Sequence, residues 1–293
     1  MEATELIKRV RKIEIKSRKL TKNIFGGEYH SAFKGKGMAF SEVREYQYGD
    51  DIRSIDWNVT ARFNHPFIKV FEEERELTVM LLVDVSGSRY FGTQTELKMS
   101  LIAEVSAVMA FSAIQNNDKI GMIMFSDVIE KFIPPQKGRQ HTLRIIRELL
   151  EYTPKHQNTN ISEALRYLNN AIKKKCIAFV ISDFFDMSGD DKFNFKDALR
   201  IANRKHDVVA FQITDKRESS LPPVGLIKLR DAETNKEIWI DTSDRELRKK
   251  YSEWWLKFQD NLRNLLSKCK VDSAVLSTGE DFVKPLKKMF ELR

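Results

Sequence analysis

Asp84-Val85-Ser86-Gly87-Ser88 follows directly on an apolar run and sets one carboxylate and two hydroxyls on alternate residues. In an extended turn this alternation aims all three side chains at one point, and Gly87 lets the backbone bend there. A carboxylate joined by hydroxyls is an all-oxygen donor set, which suits Mg2+ or Mn2+ rather than zinc. The string is short, and Asp and Ser also serve as turn and cap residues where strands give way to helices. Two further features extend it. Thr159 stands just ahead of Asn160-Ile161-Ser162-Glu163, where Asn160 and Glu163 have the spacing of a capping box. Asp183, in Ser182-Asp183-Phe184, again lies at the carboxyl end of a buried-type apolar run. In an open α/β sheet that end is where ligands bind.

Other chemistries find little support. Lys36 is followed by Gly37, so no phosphate-binding P-loop exists, and neither a G-x-S-x-G elbow nor an H-E-x-x-H zinc motif occurs. Ser86 has the hydroxyl of a nucleophile, but no histidine stands in a motif that would supply its base. The five histidines (His30, His65, His141, His156, His206) show no ligand spacing and read as surface or packing residues. Asp186, Asp190 and Asp191 follow Asp183 and read as surface charge. Arg44, Asp50, Arg53, Asp56 and Arg62 read as salt bridges and turn caps that shape their segment.

The elements that must position these residues are legible from residue 78 onward. Thr78–Val83, Ile120–Phe125, Cys176–Ser182 and Asp207–Ile213 are continuous apolar runs, as expected of parallel strands buried on both faces. Val128–Ile133 is expected to pair with the second of them as a hairpin ended by Pro134-Pro135. Thr93-Gln94-Thr95-Glu96 reads as a capping box ahead of the apolar stripe Leu97, Leu101, Val105 and Val108. Further helices are expected near 140–152, 161–173, 195–205 and 243–268, a hairpin over 225–230 and 236–241, a last strand at Val271–Leu276 and a helical tail. Strands alternating with helices predict a doubly wound, mainly parallel α/β sheet covered on both faces.

Residues 1–76 differ from this pattern and read as an appendage to an α/β domain at 77–293. Phe33, Phe40, Trp57, Phe63 and Phe67 are too sparse for a core of their own, and Phe67–Phe71 is a short strand candidate. Residues 1–22 carry eight Lys/Arg and three Asp/Glu, with Leu6, Ile7, Val10 and Ile13 at helical spacing. They predict a basic amphipathic helix that docks by its apolar stripe.

The whole chain has 293 residues, 42% hydrophobic and 31% charged, with a net charge of +8. That balance excludes a wholly disordered chain. Its two cysteines, Cys176 and Cys269, match no C-x-x-C spacing and fit a reducing compartment. Leu101–Ile114 is the best apolar stretch, and it reads as too short for a bilayer. A cytoplasmic protein is expected.

Asp84, Ser86, Ser88, Thr159 and Asp183 occur in the order of the metal-ion-dependent adhesion site, and from residue 77 the chain resembles the von Willebrand factor A fold that carries it. The N-terminal part resembles domain-of-unknown-function family 58, through Gly35-Lys36-Gly37, Phe40, Glu42–Tyr46, Gly49–Arg53, Ile55-Asp56-Trp57 and Ala61-Arg62. The two resemblances imply a non-enzymatic module that captures a partner's acidic side chain through Mg2+ or Mn2+. They further imply work beside a MoxR-type AAA+ ATPase in the assembly or maturation of client complexes. Two alternatives stay open: a metal-dependent hydrolase using Asp84 and Asp183, and a nucleic-acid-binding protein using the basic N-terminal helix.

Overall fold

The computed structural model describes residues 13, 14, 17, 38–73, 77–90, 97–188, 192–230 and 237–293. The chain divides into two compact units, one of residues 33–77 and one of residues 1–32 with 78–293.

In the smaller unit, β1 (Met38–Glu45) pairs antiparallel with β2 (Phe67–Glu73), and α1 (Trp57–Phe63) lies between them in sequence. Sequence reading found the second strand and missed β1 and α1. The charged residues do local work here. Arg44 holds Asp50 through two bonds of 2.9 and 2.7 Å, and Asp50 also accepts from the Gln47 N–H. Asp56 caps α1 by accepting from Asn58 and Val59, and it faces Lys69 at 3.4 Å. Arg53 and Arg62 are exposed.

The larger unit is built on a six-stranded sheet ordered β12-β9-β6-β3-β4-β5. Its strands are β3 (Thr78–Asp84), β4 (Lys119–Phe125), β5 (Ile129–Gln136), β6 (Ile177–Ser182), β9 (Asp207–Thr214) and β12 (Asp272–Ser277). All neighbours are parallel except β4 and β5. Two short antiparallel pairs lie outside this sheet: β7 (Met187–Ser188) with β8 (Lys192–Phe193), and β10 (Leu226–Arg230) with β11 (Glu237–Asp241).

The helices are α2 (Lys98–Gln115), α3 (Arg139–Glu151), α4 (Ile161–Ala171), α5 (Lys196–Lys205), α6 (Arg245–Lys268) and α7 (Val283–Glu291). Met80 and Leu82 of β3 share a core with Ile161 and Leu165 of α4, Leu199 of α5 and Phe258 and Leu262 of α6. On the other face Phe179 of β6 meets Phe290 of α7 edge-on at 6.5 Å. Period-2 alternation in each strand feeds both layers, so both faces are apolar.

Three details depart from expectation. β5 runs on through Pro134 and Pro135 to Gln136. It is an edge strand, where a missing N–H costs nothing on the open side. The register shifts between Ile120 and Met122, at Gly121, where a Cβ would lie 2.9 Å from the Ile133 carbonyl oxygen and the Pro135 nitrogen. Next, α2 begins at Lys98 with Leu97 at its N-cap, making no side-chain cap bond. The Thr93–Glu96 capping box lies outside the described residues. Lastly, α2 is by length and hydropathy (mean 1.2) able to cross a membrane, which the shorter Leu101–Ile114 run did not suggest. Most of it, 72%, is buried inside the unit, as befits a core helix apolar all round.

Most of the basic N-terminal helix also lies outside the described residues. Ile13, Glu14 and Ser17 are helical and buried, and Arg139 of α3 grips Glu14 at 2.7 and 3.0 Å.

The buried histidines predict an acid response. Burial, and then the nearby Lys205, lower His206 to about 4, and the ring packs against Cys176 with Nδ1 3.2 Å from Sγ. Burial in turn pushes the Cys176 thiol up to about 12. The unfolded chain takes a proton on this histidine near pH 6.5, while the folded chain refuses it until about pH 4. Its contribution to stability is therefore present above pH 6.5 and lost as pH falls toward 4, a change of about 3 kcal/mol. In denaturant titrations across that window, His206→Leu should lose less stability on acidification than wild type, by that amount. Parallel profiles would remove His206 as the cause.

Candidate metal centre at the switch point of the sheet

Numbered in chain order within the six-stranded sheet, the strand order is the doubly wound 3-2-1-4-5-6, and its direction reverses between β3 and β6. In open α/β sheets the carboxyl ends of the strands at such a point are where ligands bind. Asp84 ends β3, and Ser182 ends β6 with Asp183 next.

Asp84 Oδ1 accepts the Ser86 N–H at 2.9 Å, which folds the Asp84–Ser88 turn on itself. Asp84 Oδ2 accepts the Ser182 hydroxyl at 2.7 Å, tying the first loop to the neighbouring strand. Ser86 and Ser88 hydroxyl oxygens lie 3.2 Å apart. Asp84, Ser86 and Asp183 are all buried. Burial, and then the adjacent Asp183 charge, push the Asp84 carboxyl up to about 6, against the hydrogen bonds from Ser182 and Ser86.

Thr159 is half-buried on the loop ahead of α4, and three bonds fix its neighbours. The Gly87 N–H reaches the Gln157 carbonyl at 2.9 Å, Asn160 N–H reaches Ser126, and Ile161 N–H reaches Asp186 Oδ2 at 2.9 Å. Asn160 caps α4 by accepting from Glu163 N–H at 3.0 Å. Asp186 is buried and also takes Asn194 Nδ2 at 2.7 Å, so it anchors a helix start instead of being surface charge. Asp190 and Asp191 lie outside the described residues. Glu130 braces the same loop from β5, accepting from Ser126, Tyr152, Lys155 and His156. Burial alone would raise its carboxyl, and these donors outweigh it and hold it below the usual range.

Sequence reasoning missed Lys98. It is 1% exposed, and its Nζ lies 3.1 Å from Asp183 Oδ2 and in contact with Glu218 Oε1. An ammonium at the first residue of a helix sits against the positive end of the macrodipole. Two carboxylates account for its place: burial opposes the charge, yet Asp183 and Glu218 hold its pKa above the ordinary lysine value. The signal existed in the sequence, because Lys98 falls three residues before Leu101 on the apolar stripe of α2.

Beyond Asp183 the chain turns through Phe184, a buried aromatic residue at φ +64°, a strained conformation for a bulky side chain. Phe185 N–H then returns to Asp183 Oδ1 at 3.3 Å. The Phe185 ring stacks on Phe258 of α6 at 4.5 Å, which holds the loop down.

The donor set fits a hard divalent cation: two carboxylates and two hydroxyls meet at one edge, with the Thr159 hydroxyl carried on the adjoining loop. Among the described residues no group of three or more His, Cys, Asp or Glu side chains gathers as a metal site. Asp183 is engaged on both oxygens, by the Lys98 ammonium and by the Phe185 N–H. His141, His156 and His206 are engaged elsewhere, with Ile120, Asp127 and Cys176.

The family described as "Protein of unknown function DUF58" matches residues 42–259. An uncharacterised protein of Mycobacterium tuberculosis is 30% identical over 241 residues, covering 81% of this chain and 74% of its own length. Among solved structures, a conserved hypothetical protein BatB from Bacteroides thetaiotaomicron is 14% identical over 74% of this chain and 98% of its own, with a TM-score of 0.47. An aerotolerance-related membrane protein from Bacteroides fragilis is 14% identical over 74% of this chain and all of its own, with a TM-score of 0.49.

Proposed function

This chain belongs to the DUF58 family, and we propose that it is a non-enzymatic, metal-dependent protein-interaction module. Mg2+ or Mn2+ would be held by Asp84, Ser86, Ser88, Thr159 and Asp183, directly or through water. One observation carries the reading: Asp84, Ser86 and Ser88 gather at the switch point of the sheet as an all-oxygen cluster, with the Asp183 charge adjacent to Asp84. When bound, a divalent ion there keeps water positions that an incoming carboxylate can replace. The chain's own residues set the opening, since Ser182 fixes Asp84 and the Glu130 and Asp186 braces fix the Thr159 loop. Ser86 Oγ faces Ser88 Oγ instead of a histidine, which favours capture over hydrolysis.

The resemblance to the family supplies a candidate partner, a MoxR-type AAA+ ATPase, and a role in assembly or maturation of client complexes. In this reading the contact forms in the cytoplasm, where such a partner has its nucleotide. The test is capture from cell extract on immobilised protein. Wild type should retain a protein partner in Mg2+ and release it in chelator, and Asp84→Ala should retain none. Capture that ignores both chelator and the substitution would end the proposal. Binding that falls steeply with salt and ignores Asp84 would point to nucleic acid.

A further inference from the structure

We infer that Lys98 is a built-in cation that competes with the metal for Asp183 and keeps divalent affinity low. The inference rests on the proposed metal reading and adds a regulator to that site. Lys98 Nζ, 1% exposed, takes Asp183 Oδ2 at 3.1 Å and Glu218 Oε1 on its other side. Glu218 is itself held by a capping box: Asp215 N–H donates to Glu218 Oε2 at 2.9 Å. The ammonium is therefore shared between a carboxylate of the site and one fixed outside it.

The charges decide the sign. A metal entering beside Asp84 and Asp183 meets the fixed positive charge of Lys98 in a buried setting where screening is weak. It also finds Asp183 Oδ2 already occupied. Direct ligation by that oxygen requires Lys98 to give it up and shift toward Glu218. Glu218 acts in the opposite direction, since its carboxylate draws the ammonium away from Asp183.

Two substitutions of opposite effect test this. Mn2+ is titrated by electron paramagnetic resonance at pH 8 into wild type, Lys98→Met, Lys98→Arg, Glu218→Gln and Asp84→Ala. Lys98→Met should bind at least ten-fold tighter than wild type, and Glu218→Gln several-fold weaker. Lys98→Arg, which keeps the charge, should stay close to wild type, and Asp84→Ala should not bind. A purely structural lysine would give weaker binding in both Lys98→Met and Glu218→Gln, and that result overturns the inference while leaving the metal site standing. Tight, Asp84-dependent binding by Lys98→Met with none by wild type supports the inference and removes the metal from the native protein. No binding by any variant overturns both. If Lys98→Met does not fold, Glu218→Gln alone decides: affinity equal to or above wild type refutes the competition.

Discussion

Replacing Lys98 by Met should lower the stability of the metal-free protein by about 3 to 5 kcal/mol, the range found when one partner of a buried ion pair is removed. The stem of methionine fills the space of the lysine stem, so the loss is one of charge and not of packing. Asp183 and Glu218 would be left facing each other in a buried setting, with Asp84 close by. Against a typical total of about 5 to 15 kcal/mol this is a large fraction. Denaturant melts in chelator measure it directly. Adding Glu218→Gln to Lys98→Met removes one of the stranded charges and should return part of the loss. Additive effects of the two substitutions would show that the pair is not coupled.

Asp84→Asn should act in the opposite direction on the metal-free fold. The folded carboxyl is pushed up to about 6 by burial and by Asp183, so keeping it ionised at neutral pH costs stability relative to the unfolded chain. A neutral side chain of the same shape relieves that cost, on the order of 3 kcal/mol at pH 7. The amide can still accept the Ser86 N–H. The variant should also lose its response to Mg2+, which in wild type adds about 1.4 kcal/mol at ten times the dissociation constant. Thermal melts with and without Mg2+ separate the two effects. A variant that is both less stable and equally responsive to Mg2+ would mean that Asp84 is structural and the ion binds elsewhere.

The same logic fixes the pH dependence. Asp84 binds its proton more tightly in the folded state, so its contribution to stability rises as pH falls from about 6 toward 4. His206 contributes a loss over the same window. The two oppose each other in wild type, and only the single variants separate them.

Much of this fold is written locally. Runs such as Val79–Val83 and Ile177–Ile181 are apolar at every position, because a parallel strand between two helical layers has no solvent face. Asp84, Ser86, Ser88 and Asp183 stand at or just past the ends of such strands, and Thr159 just ahead of a helix start, so their type and place were legible together. Asn160 as a helix cap was equally legible, since capping is a contact between near neighbours. Residues whose role depends on a distant partner were not. Asp186 looked like surface charge until the fold set it under the Ile161 N–H. Pro134 and Pro135 looked like a strand end until β5 proved to be an edge, where one side needs no donors. Lys98 passed unnoticed beside an apolar stripe, because its role depends on Asp183, 85 residues away, and on Glu218 beyond it. Local pattern determines which elements form and what they bury. Which strands become neighbours, and so which charges must share a buried site, is decided by long-range pairing that no short window of sequence contains.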